Sequence, residues 1–290
     1  MNWDILLQQV LNGLVLGSVY ALVALGYTMV YGILQLINFA HGEVLMVGAM
    51  VGMTVVTQLL AGSSLPGWMQ LIVALLIAIP VCVILSLLIE RLAYRPLRNA
   101  PRLSPLITAI GLSIVLQTVA MILWTPNPQV FPDLLSTEPI PIGGAILAPK
   151  QMLILGVAAT MMAGLMLLVN KTKLGRAMRA TAENPRIAGL MGVNANFVIA
   201  ATFAIGAALA AVAGVLVAMN YNIVHFSMGF IPGLKAFTAA VLGGIGNITG
   251  AMVGGLLLGI IESLGAGYIG DLTNGFLGSH YQDIFAFAVL

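Results

Sequence analysis

The chain has 290 residues, of which 60% are hydrophobic and only 7% charged, and its formal net charge is +2. Soluble domains carry about a quarter charged residues, so these few charges cannot cover a water-soluble fold of this length; lipid has to be the solvent. The small net charge argues against a nucleic-acid partner. The single cysteine, Cys82 in an apolar run, excludes an intrachain disulfide and a cysteine-based metal site.

Crossing about 30 Å of hydrocarbon takes about 20 apolar residues in a helix. The opening Met-Asn-Trp-Asp has no basic region and no small-residue cleavage pattern follows, which predicts a retained membrane helix rather than a signal peptide. No charged side chain occurs from Ile5 to Ala40, so the first helix is expected to be long, tilted, or broken near Gly26 or Gly32. Val44 to Ile89 is again uncharged, and Gly62-Ser63-Ser64-Leu65-Pro66-Gly67 divides it into two spans. Further spans are predicted at about Leu103–Trp124, Gln151–Asn170, Phe197–Met219 and Ile248–Leu264. Ile231–Leu242 is shorter and either crosses or re-enters. Between Trp124 and Gln151 a proline-rich, charge-poor stretch reads as an irregular loop. The last segment begins near Gln282 and reaches Leu290 in mid-span, so the chain is expected to be cut short there. The reading is one all-α transmembrane bundle over residues 1–290, with eight or nine crossings.

The positive charges orient it. Arg91, Arg95, Arg98 and Arg102 fill one loop, and Lys171, Lys173, Arg176, Arg179 and Arg186 another; together these are nine of the eleven. Two spans separate the loops, so both fall on one side, which the positive-inside rule makes the cytoplasm. Loops 91–102 and 171–195 are then cytoplasmic. The N-terminus, loop 125–150 with Asp133 and Glu138, and the region of Asp271 are outside. Gly13/Gly17, Gly48/Gly52, Gly250/Gly254 and Gly255/Gly259 have the spacing that lets membrane helices approach closely.

The segment Glu183–Val193 carries the clearest local signal. Asn184 can cap free helix amides, Pro185 suits the first helical position, and Gly192 accepts the left-handed conformation that stops a helix. Ile187, Leu190 and Met191 share one face, with Ala188 and Gly189 between them. So short a helix is unstable alone in water and needs a surface. It either folds back on its own bundle or docks in a groove of a cytosolic partner.

Three stretches resemble a known family. Gly175–Val193 is similar to the cytoplasmic coupling segment of the branched-chain amino acid ABC permeases, Gly26–Glu43 to their early motif, and Ala239–Asn247 to their late glycine-rich motif. The resemblance implies a permease subunit in the bacterial inner membrane, carrying leucine, isoleucine and valine. It implies a homologous second permease subunit, two cytoplasmic ATPase subunits and an external binding protein. Urea and short-amide permeases share much of the pattern. ATP and magnesium would sit on the partner subunits, and this chain, which has no Gly-x-x-x-x-Gly-Lys-Ser/Thr loop, is expected to hold no cofactor and to be no enzyme. Glu183, Asn184, Pro185, Ile187, Ala188, Gly189, Leu190, Met191 and Gly192 would form the ATPase-coupling contact.

Asn38, His41 and Glu43 cluster at the first turn between spans. A carboxylate in hydrocarbon is costly and usually functional, so the three are candidates for a conformational gate or the translocation path; the alternative is a helix-end cap with a Glu43–arginine pair. Glu262 is expected to be paired structurally, and His225 to be solvated. The histidines offer no metal spacing. An ion-driven carrier could use Glu43 and Glu262 but has no need of the capped helix. A membrane enzyme would gather reactive groups at one face, and none gather here.

Overall fold

A computed structural model describes residues 3–98, 100–101, 103–135, 138–272 and 282–288. Helix α1 (Trp3–Leu34) runs 32 residues without interruption at Gly26 or Gly32, about 48 Å at 1.5 Å per residue. It ends at Gln35, whose φ of 54° is left-handed and cannot continue the helix. Helix α2 (His41–Thr54) extends through a π turn, Val55–Leu59. Helix α3 (Gly67–Ile89) extends through a second π turn, Glu90–Tyr94, into the short α4 (Arg95–Leu97). Then follow α5 (Leu103–Leu123), strands β1 (Gln129–Val130), β2 (Ile140–Ile142) and β3 (Ala145–Leu147), and α6 (Pro149–Lys171). The second half comprises α7 (Lys173–Glu183), α8 (Pro185–Leu190), α9 (Ala195–Tyr221), β4 (Ile223–Val224), α10 (Phe230–Leu242), α11 (Ile248–Leu272) and α12 (Gln282–Ala288).

Seven helices among the described residues are long and apolar enough to cross a membrane: α1, α2 with its π turn, α3 through α4, α5, α6, α9 and α11. The further crossings expected were Ile231–Leu242 and the segment beginning near Gln282, of which 282–288 are described. The 13-residue α10 is about 20 Å long, short of the hydrocarbon thickness, and so is not of spanning length. Arg102, the side chain of Asp271 and residues 289–290 lie outside the described residues.

The helices form an inner and an outer layer. In their most apolar stretches 89% of α1 residues and 72% of those in α2 and α9 are buried, against 28% in α3 and α6 and 17% in α5. Small residues let the inner helices touch. A Cβ at Gly13 would lie 2.7 Å from Ile260 Cα, and one at Gly17 would lie 2.8 Å from Leu256 Cα, so α1 and α11 meet backbone to backbone. At Gly48 the neighbour is Ala211 Cα, 2.7 Å away, which seats α2 on α9. Without a hydrophobic drive between helices in lipid, such close contact is what holds them. Cys82 is buried between α3 and α2, its thiol 3.4 Å from the Val44 carbonyl.

Contacts at the helix termini sort the loops onto two ends. Arg98 donates to Asn196 at 2.6 Å, bringing the end of α4 to the start of α9. At the other end of α9, Asn222 donates to Asp133, Lys150 donates to Asn222 at 2.8 Å, and β1 pairs with β4. The two basic segments therefore share one end and residues 129–150 the other. That connection is more ordered than the irregular loop expected. Its β2–β3 hairpin turns at Gly143 and Gly144, with φ of 58° and 95°, and Gln8 of α1 bonds to both the amide and the carbonyl of Ile146.

Candidate functional site: a capped surface helix, a buried polar set and an open cavity

At the basic end, Thr172 caps α7 by accepting from the Gly175 amide at 3.1 Å. Helix α7, in a segment expected to be a loop, buries Met178 and Thr181, and Arg179 donates to the Val169 carbonyl. Asn184 then breaks the helix and caps the next, its Oδ1 accepting from the amides of Arg186 and Ile187 at 3.0 and 3.1 Å. Pro185 stands first in α8, and Gly192, at φ 84°, closes it. Ala188 is turned inward at 3% exposure, whereas Ile187, Leu190 and Met191 are 59%, 88% and 81% exposed. The apolar face of α8 thus points away from its own bundle. Between α8 and the end of α1 lies a cavity of about 480 Å³ lined by Leu34, Leu36, Arg98, Glu183 and Arg186. Arg98 also reaches Glu90, which is 1% exposed and held in addition by Arg95 at 2.9 Å.

Asn38, His41 and Glu43 are all buried, and each faces a different neighbour. Asn38 accepts from the Tyr94 hydroxyl at 2.9 Å. His41 stands edge-on to Tyr27, centroids 5.0 Å apart, in the space that a Cβ on residue 26 would occupy; only glycine leaves room for the ring. Glu43 accepts through Oε1 from Ser113 and Gln117 of α5, at 2.9 and 2.8 Å. The expected alternative of a Glu43–arginine pair is not what the structure holds. Arg95 and Arg98 are committed to Glu90, and the carboxylate of Glu43 is turned toward α5 instead. The first turn of α2 is itself pinned: a Cβ on Gly42 would lie 2.5 Å from the Gly229 carbonyl oxygen and 3.1 Å from Gly233 Cα.

Beside this set opens a cavity of about 590 Å³ between α5 and the start of α10. Tyr27, Phe39, Ile110, Ile114, Phe230 and Leu234 give it apolar walls; Ser113, Gln117, Ser227 and His225 supply polar atoms. His225, expected to be solvated, is partly buried and bonds to Ser227 at 3.1 Å; burial lowers its pKa, so the ring is neutral at pH 7.

A second buried charge cluster was missed in part. Glu262 is paired, as expected, but the partner is Lys235 of α10, 2.6 Å away and 4% exposed at the side chain. Lys235 also meets Asp283 of α12 at 2.6 Å, and Tyr20 donates to Glu262 at 3.0 Å. The signal was a lone lysine inside an apolar segment, which in a membrane needs a partner. Among the described residues no group of three His, Cys, Asp or Glu could hold a metal ion.

Residues 9–290 match the family model described as "Branched-chain amino acid transport system / permease component". The chain belongs to that permease family. It is 47% identical over 290 residues to the high-affinity branched-chain amino acid transport system permease protein BraD of Pseudomonas aeruginosa, covering 98% of this chain and 91% of that one. It is 44% identical over 289 residues to the permease protein LivH of Escherichia coli, with the same coverage. A probable LivH of Methanocaldococcus jannaschii is 29% identical over 282 residues, 93% of this chain and 85% of the relative. As a member of this family the chain is a multi-pass membrane permease.

Proposed function

We propose that this chain is a permease subunit of a binding-protein-dependent importer that carries leucine, isoleucine and valine across the bacterial inner membrane. ATP hydrolysis on two separate cytoplasmic subunits drives it. A homologous second permease subunit completes the membrane channel, an external protein delivers the substrate, and the N-terminus faces outside. The observation that carries the reading is α8, a capped helix that bares Ile187, Leu190 and Met191 at the end of the bundle where the basic residues gather. A six-residue helix fixed at both ends transmits force rigidly, and an apolar face of that size suits a groove in a partner. When the ATPase dimer closes, α8 moves with it and pulls on α7 and the start of α9.

Burying Leu190 and Ile187 stabilises such a contact by roughly 1.5–3 kcal/mol each. Leu190→Asp in the assembled importer tests the reading, with membrane insertion, ATPase co-purification and binding-protein-stimulated hydrolysis measured together. Normal insertion with lost ATPase association or stimulation is expected. Full retention of both would overturn the coupling role. Accumulation of leucine in proteoliposomes that depends on ATP and survives an uncoupler is expected of the wild type; uptake abolished by the uncoupler would point to an ion-driven carrier.

A further inference from the structure

The cavity between α5 and α10 is apolar on most of its walls, and Glu43 of α2 stands behind the α5 wall rather than among the lining residues. Ser113 and Gln117 line it, and both spend a hydrogen bond on the same oxygen of Glu43. Glu43 is 1% exposed, and its other oxygen, Oε2, has no hydrogen-bond partner among the described residues. The ion pairs of the described residues engage Glu90, Glu262 and Asp283, so no lysine or arginine is paired with Glu43 among them. A buried carboxylate in a membrane bundle is expensive unless a cation reaches it. The cavity's volume lies in the range of small-molecule sites, about 300–1,000 Å³.

We propose that this cavity is a station for an aliphatic α-amino acid, its ammonium group drawn to the Glu43–Ser113–Gln117 cluster and its side chain lying against Ile110, Ile114 and Phe230. The inference rests on the transport reading above and adds to it the substrate's orientation and the group that reads its charge. An α-ammonium brings three donors, which the Ser113 hydroxyl oxygen and the Gln117 carbonyl can accept while each keeps its own bond to Glu43, and its positive charge then stands in front of the carboxylate buried behind them. Neither lysine nor arginine is among the described lining residues, and the substrate carboxylate points to the open side. One-ended recognition holds the substrate weakly enough for onward release. A neutral amide such as urea lacks the charge that the cluster reads.

The test uses the complete importer in proteoliposomes, with Ile114→Cys as a reporter labelled by a maleimide; Cys82 is buried and silent. Millimolar leucine is expected to slow labelling at least threefold when Glu43 is present and to have no effect after Glu43→Gln. Ser113→Ala, a milder change, should give partial protection. The ammonium-free analogue 4-methylpentanoate should protect in none of them. Equal protection with Glu43 and with Gln, protection by 4-methylpentanoate, or no protection in an importer that accumulates leucine would each overturn the proposal. An importer that does not accumulate leucine at all would instead overturn the transport reading beneath it.

Discussion

Gly42 and Lys235 illustrate how single residues hold this bundle. At Gly42 the obstacle to a side chain is backbone, the carbonyl of Gly229 and the Cα of Gly233, which cannot step aside as a flexible side chain can. Gly42→Ala is therefore expected to destabilise the protein by about 1–3 kcal/mol, the usual range for overpacking, seen as a lower Tm in detergent. Gly111→Ala, on α5 with nothing within 4 Å of the added Cβ, should leave Tm unchanged or raise it. Equal losses at the two sites would refute the contact. Lys235 neutralises Glu262 and reaches Asp283 within the bundle. Lys235→Met strands a buried carboxylate and should cost about 3–5 kcal/mol. Adding Glu262→Gln removes the stranded charge and should restore more than half of the lost Tm; a double variant as unstable as the single would show that the lysine acts by packing alone.

Helix α8 is the element in which local sequence and structure agree most closely, because its start, stop and exposed face are all set within ten residues. The Asn184 side chain satisfies two of the amides that a helix start leaves open. Asn184→Ala should cost the helix about 1 kcal/mol, while Asn184→Asp keeps the acceptor. In the assembled importer binding-protein-stimulated ATPase activity is expected to fall with Ala and to persist with Asp; no difference between the two would mean that the cap does not matter to coupling. Helix α2 shows the opposite case. Its first turn carries Asn38's neighbours His41 and Glu43, yet what those side chains touch comes from Gly26, Tyr27 and α5, and no local rule anticipates it.

At the scale of the whole molecule, the bundle has two chemically distinct ends. Arg98–Asn196 closes one, and the β1–β4 pairing with Lys150 and Asn222 closes the other. If the basic end is cytoplasmic, cysteines placed at Arg91 and Lys173 should resist an impermeant reagent added to intact cells, and one at Glu138 should react. Reaction at either basic site from outside would invert the topology.

Composition, the uncharged runs and the positions of Arg and Lys determined on their own that the chain is a polytopic helical membrane protein. They also determined where most spans begin and end, and which two segments share a face. Those properties depend on transfer of each segment into lipid and on helix capping, and both act over one turn or one span. Tertiary structure alone decided that α7 is a helix of its own. It decided too that Glu43 is held by α5 rather than by arginine, and that Lys235 answers Glu262. The partners of Glu43 lie 70 and 74 residues away in the chain and those of Lys235 27 and 48 away. A buried charge announces in sequence that it needs a partner. Which partner it finds depends on how the helices around it pack, since every polar group taken out of water must be satisfied by whatever the fold brings within reach.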